Sequence, residues 1–117
     1  MTKRWIYHLS RRSDWNLAKQ SGFYPGSAED TADGFLHFST ANQVVESAAK
    51  HRAGESDLIL LEVDADALDE TLRWEPSRGG QLFPHLYGAL PTSVVVGEVE
   101  LPVGPDGLHV FPELKDD

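Results

Sequence analysis

Cysteine does not occur among the 117 residues, so disulfides, thiolate nucleophiles, cysteine-ligated zinc and iron–sulfur clusters are all excluded. Long apolar runs are missing too. None approaches the ~20 residues that a membrane-spanning helix needs. The opening stretch MTKRWIYHLSRRSDW carries basic residues but reaches Ser10, Arg11 and Arg12 too soon for the apolar region of a signal peptide, so a cytoplasmic location is expected. Positive charge is scarce: 10 Lys and Arg stand against 19 Asp and Glu, for a net charge of −9. Such a field repels the phosphate backbone, and neither DNA nor bulk RNA is an expected partner. No glycine-rich dinucleotide fingerprint follows a strand, and there is no Walker loop, HExxH motif, internal repeat or low-complexity segment.

What is present is 40% hydrophobic residues, enough for one packed core, and residues 1–117 read as a single domain. The basic residues cluster at Lys3, Arg4, Arg11 and Arg12, while Glu113, Asp116 and Asp117 make the tail acidic. A few local arginines could hold a small phosphorylated ligand; solvated surface is the alternative, since arginine is mostly exposed.

In chain order, the β-prone run from Trp5 to Leu9 predicts a first strand with His8 inside it. Ser13 as N-cap, Asp14 in the first turn and a stop at Gly22 predict a short helix over 14–21, with Trp15 and Ala18 facing inward. The stretch from Tyr24, Pro25 and Gly26 through SAEDTADG to Gly34 reads as a long mobile loop able to cover a pocket. Phe35 to Phe38 should form a strand that runs directly into a helix. Thr40 and Gln43 have capping-box spacing there, Val44, Val45, Ala48 and Ala49 give the apolar face, and Gly54 offers a left-handed C-cap. Free N–H groups beside Ser39 and Thr40 could receive an anion or a ligand oxygen, with plain capping as the alternative.

Residues 57–63, DLILLEV, have the length and apolar content of a central strand covered on both faces. A single helical turn should follow Asp64, then a strand over Leu72 to Glu75 halted by Pro76. Ser77, Arg78, Gly79 and Gly80 make a turn bearing one cation. In QLFPHLYGALP, His85 and Tyr87 are two apart and share a strand face. TSVVVGEVEL reads as a strand interrupted by Gly97, and VGPDGLHVFPEL as a turn leading to a short edge strand. The late clustering of strands argues against a doubly wound parallel sheet. The expected class is α+β: a compact split or curved mixed sheet of about six to seven short strands with two main helices.

His8, His37 and His85 each fall in apolar strand segments, where a polar ring must find partners. Singly, each could be a buried ring satisfied by carbonyls; together they predict a pocket. His51, beside Arg52 at a helix end, and His109 read as cap or surface residues. Trp5 and Trp15 read as packing, whereas Tyr87 is the better candidate contact.

The blocks WIYHL, DGFLHFSTANQV and LRWEPSRGGQLFPHLYGALP, in this order over nearly the whole chain, resemble the bacterial family catalogued as domain of unknown function 952. The resemblance implies a fold similar to the ADP-ribosyltransferase group, in which a split sheet holds NAD between its halves. In that group a polar residue on the first core strand bonds the NAD ribose, an aromatic on the second packs on nicotinamide, and a later acid promotes glycosidic cleavage. It thereby implies the first role for His8 and the second region for His37, with Ser39 as a hydroxyl contact. The third block departs from the pattern. It offers His85 and Tyr87, with Glu75 near in sequence only.

A carboxylate suits an oxocarbenium-like ribose, while histidine suits proton transfer or the orienting of a hydroxyl. Arg78 could grip pyrophosphate through its planar fork, the paired glycines letting backbone approach; a plain surface turn is the alternative. The candidate catalytic residues are therefore His8, His37, His85 and Glu75, and the candidate cofactor contacts are Ser39, Thr40, Arg78 and Tyr87, with NAD as the implied cofactor. Two other readings stay open. One is a non-catalytic domain binding a nucleotide or other small molecule. The other is a zinc site of three imidazoles with an open position for water, although no two of these histidines share a helix turn.

Overall fold

Strand β1 (Trp5–Arg11) opens the chain and runs without a loop into helix α1 (Arg12–Ser21) in the computed structural model, which describes residues 4–114 apart from the side chain of Arg78. Lys3, Asp116 and Asp117 lie outside the described residues. Then come β2 (Phe23–Tyr24), α2 (Ala28–Asp33), β3 (Leu36–His37), α3 (Ala41–His51) and β4 (Leu58–Asp64). The last elements are β5 (Leu72–Pro76), β6 (Leu82–Leu86), β7 (Leu90–Pro91) and β8 (Val95–Leu101). A 3-10 turn at Ala65–Ala67 follows β4, as Asp64 foretells by accepting from the Asp66 N–H.

The class is α+β, but the sheets are not mixed: every strand pairing among the described residues is antiparallel. One sheet has the order β1-β4-β8, a second β3-β6-β5, and a two-stranded ribbon pairs β2 with β7. The centre is β4 because its apolar run can be covered on both faces. Ile59, Leu61 and Val63 point into one cluster with Ile6, Trp15, Tyr24, Phe38 and Leu86. Leu58 and Leu60 point the other way, against Tyr7, Val44 and Leu101. The period of two thus divides the core between the α1 side and the α3 side. Between the two larger sheets runs a seam closed by one bridge, in which Tyr7 and Ser39 exchange N–H to carbonyl bonds of 2.7 and 2.8 Å.

Several local expectations change. Helix α1 starts two residues early with Arg11, not Ser13, as its N-cap, since β1 extends to that point; Gly22 ends it in the left-handed region. The expected mobile loop over 24–34 is replaced by β2 and α2, the latter closed by a reciprocal capping box between Ser27 and Asp30. Strand β3 is shorter than 35–38. In α3 the Thr40–Gln43 capping box forms, but the inward face is Val44, Ser47 and Ala48. Val45 and Ala49 turn outward because 100° per residue carries them off the stripe. The helix ends on Arg52, short of Gly54, whose N–H instead bonds the Gly107 carbonyl. The final edge strand reduces to a Val103–His109 bridge. Among the described residues no helix is long and apolar enough to cross a membrane.

Candidate functional site

Alternation along β1 sends Tyr7 to the α3 side and His8 to the α1 side, where the ring is 3% exposed. Its Nδ1 lies 2.7 Å from the His37 carbonyl, which can only accept, so Nδ1 carries a proton. Nε2 lies 2.8 Å from the Tyr24 hydroxyl, from which it accepts when the ring is neutral. In the neutral ring this is the Nδ1–H tautomer. Burial pushes the His8 pKa down, against the pull of Asp30, whose Oδ2 stands 3.5 Å from Nε2. The Tyr24 phenol is pushed up, again mainly by burial.

Asp30, on α2, is a buried carboxylate with its lone pairs filled. Oδ2 accepts from the Ser27 N–H at 2.8 Å and the Ser27 hydroxyl at 2.9 Å; Oδ1 accepts from the His37 N–H at 3.0 Å and from His37 Nδ1 at 2.6 Å. Burial alone would raise its pKa. The His37 ring, the nearby His8 and these backbone N–H groups outweigh burial and hold the carboxyl below the usual carboxylate range. The His37 ring meets a second acid through Nε2, 3.0 Å from Asp33. A carboxylate on each nitrogen favours the imidazolium, in which both nitrogens donate. Its pKa is raised, first by the Asp30 hydrogen bond, although burial works against it.

Across β3 and β6, His37 is the direct partner of His85, and the ring centroids are 5.6 Å apart. Phe35 stacks on His85 at 4.2 Å. Glu75 is not merely near in sequence. β5 pairs with β6, and Glu75 Oε1 accepts from His85 Nδ1 at 2.9 Å and from the Tyr87 hydroxyl at 2.7 Å. Those two bonds, Tyr87 first, lower the Glu75 pKa. The expectation that His85 and Tyr87 share a face is met.

A cleft of about 610 Å³ opens over the seam, lined by His8, His37, Ser39 and His85 from the two sheets and by Asp30, Asp33 and Arg52 among others. At one rim Arg52 pairs with Glu29 at 3.2 Å and Glu55 at 3.3 Å, and Arg11 pairs with Glu55 at 2.9 Å. The remaining candidates fare differently. Ser39 closes the seam and places its hydroxyl 3.3 Å from that of Ser47. Thr40 is occupied by the capping box, so the start of α3 is sealed by its own side chains. Glu75 and Tyr87 stand behind His85 and do not line the cleft. The Arg78 side chain lies outside the described residues.

His51 is exposed and borders the cleft. His109 is not a surface residue: it is buried, and its Nε2–H donates to the Glu55 carbonyl at 2.7 Å. The three-imidazole metal arrangement is not formed, because His8 and His37 have both nitrogens committed. No group of three or more ligating side chains converges among the described residues. Sequence reasoning missed Asp30, Tyr24 and Arg52. Only Asp30 had a local signal, its capping-box spacing from Ser27.

Fold and site together define a small antiparallel α+β domain with a histidine–carboxylate cleft at a sheet seam. The chain belongs to the family described as "Protein of unknown function (DUF952)", which matches residues 9–98. It is similar to the crystal structure of CC0527 from Caulobacter crescentus, with a TM-score of 0.88 and 46% identity over 91% of this chain and 93% of that one. The solution structure of CC0527 gives a TM-score of 0.80 and 47% identity over 89% and 90% of the two chains. No curated protein matches.

Proposed function

We propose that the seam cleft binds NAD and that the domain cleaves the bond between nicotinamide and ribose, as an ADP-ribosyltransferase-like enzyme does. The observation that carries this reading is the gathering of His37, His85 and a late-strand carboxylate, Glu75, beside a break between two sheets. The cleft volume falls within the roughly 300–1,000 Å³ of small-molecule sites. Its lining also suits a ligand of mixed charge: a pyrophosphate would take Arg11 and Arg52 from their Glu29 and Glu55 partners, and the acids so released would face a pyridinium ring.

A second reading, a non-catalytic nucleotide-binding domain, is favoured by one feature. His8, the residue that the family resemblance assigns to the ribose, is buried with both nitrogens engaged. Titration of isotope-labelled protein with NAD and ADP-ribose, together with an assay for released nicotinamide, separates the two. The enzyme reading expects saturable shifts at His37, Ser39 and His85, and release that falls on the order of a hundredfold or more in Glu75→Gln while binding persists. Saturable binding without release favours the second reading. An absence of shifts at millimolar ligand removes both.

A further inference from the structure

Building on the NAD reading, we infer that His85 is the base that deprotonates the acceptor, water in the simplest case, and that Glu75 is a positioning residue acting through it. Glu75 Oε1 is an acceptor only, so His85 Nδ1 carries the hydrogen of the 2.9 Å bond. The Tyr87 hydroxyl donates to the same oxygen at 2.7 Å and fixes the carboxylate in place. In the neutral ring the other nitrogen, Nε2, then carries the lone pair. Among the described residues it has no hydrogen-bond partner, and the ring borders the cleft. Phe35 stacked on one side and Arg73 opposite on β5 complete the surroundings with His37, Glu75 and Tyr87. A carboxylate behind one imidazole nitrogen and an open lone pair at the other is the arrangement that orients a general base.

His37 is different. Each of its nitrogens faces a carboxylate, Asp30 or Asp33, which favours the cation and occupies both N–H groups. Of the two paired histidines, His85 thus offers an open base and His37 no free acid. That combination fits a leaving group that departs without protonation, which a pyridinium does. As the C1′–N bond breaks, its electron pair goes to the pyridinium nitrogen and neutral nicotinamide leaves. The water oxygen forms the new C1′–O bond, and the water proton passes to His85 Nε2. The sum is NAD⁺ plus water giving ADP-ribose, nicotinamide and a proton.

Two measurements test this. Long-range ¹H–¹⁵N spectra of the wild-type protein should show His85 protonated at Nδ1 with Nε2 bare, and Glu75→Leu should lose that bias; a wild-type Nε2–H tautomer overturns the inference. In the NAD assay, His85→Ala should release nicotinamide on the order of a hundredfold more slowly, bind NAD as shown by the same shifts at Ser39 and His37, and regain rate on addition of imidazole. If the variant binds and turns over like wild type, His85 is not the base while the NAD reading stands. If the wild-type protein releases no nicotinamide, the enzyme reading and this inference fall together.

Discussion

His8 and His37 are the same residue type, joined by a 2.7 Å bond from the His8 ring to the His37 carbonyl, and their surroundings push their pKa values in opposite directions. The consequence is a stability profile with two opposed terms. The His8 pKa is lowered from 6.5, so its contribution is present above that value and is lost as pH falls through the folded pKa. The His37 pKa is raised from 6.5, so its contribution is complete below that value and fades as pH rises through the folded pKa. Asp30, depressed from 3.8, remains ionised across this window and keeps holding His37. His37→Gln should therefore lose stability faster than wild type as pH falls from about 8 to about 5, because the term opposing His8 is gone. Urea midpoints across that range check it, and parallel lines for the two proteins would contradict the imidazolium assignment. This chemistry could not be read from spacing. Three histidines in apolar strands announced a polar cluster, but their protonation depends on Asp30 and Tyr24, which the fold delivers.

Among the elements, α3 and α2 make an instructive pair. The start of α3 was legible because Thr40, Gln43 and an apolar stripe repeat a local pattern, and each of these signals depends only on neighbours a turn away. Helix α2 carries a similar box at Ser27 and Asp30, yet it has no apolar face, and its one buried residue is the aspartate. Hydrophobic periodicity cannot find a helix that is pinned by a carboxylate. The pin makes a sharp prediction at Gly26. Its φ is +99°, and a Cβ there would lie 2.8 Å from the Asp30 Cβ. Gly26→Ala should cost roughly 1–3 kcal/mol in urea unfolding and shift the His37 amide resonance, since that amide donates to Asp30. Gly22 also has positive φ, +89°, but open space around it, so Gly22→Ala should show strain without moving His37. Equal shifts at His37 in both variants would sever the proposed link from α2 to the site.

For the molecule as a whole, order is unevenly distributed. Strand β4 is paired along both edges, to β1 over its full length and to β8, with a register shift between Glu62 and Val63. Strand β3 registers with β6 at Leu36 and His37, with one further bond from the Phe38 N–H to the Pro84 carbonyl, and the seam depends on the Tyr7–Ser39 bridge. Amides of Leu60 and Leu61 should exchange with deuterium slowest, and that of Ser39 faster, because few other bonds must open to release it. Ser39 exchanging as slowly as Leu61 would mean that the seam is no line of weakness. A ligand in the cleft should slow Ser39 and leave β4 unchanged.

The sequence by itself determined the α+β class, the single core strand, the α3 cap and the pairing of faces that aims His85 and Tyr87 together. All of these follow from periods of two and 3.6 and from contacts close along the chain. Tertiary structure decided the antiparallel order of the sheets, the seam between β1 and β3, and the polar cluster beside it. Asp30 reaches His8 across 22 positions of sequence and Glu75 reaches His85 across a strand pair. Contacts between such residues exist only once the strands have registered, so nothing local in the chain encodes them.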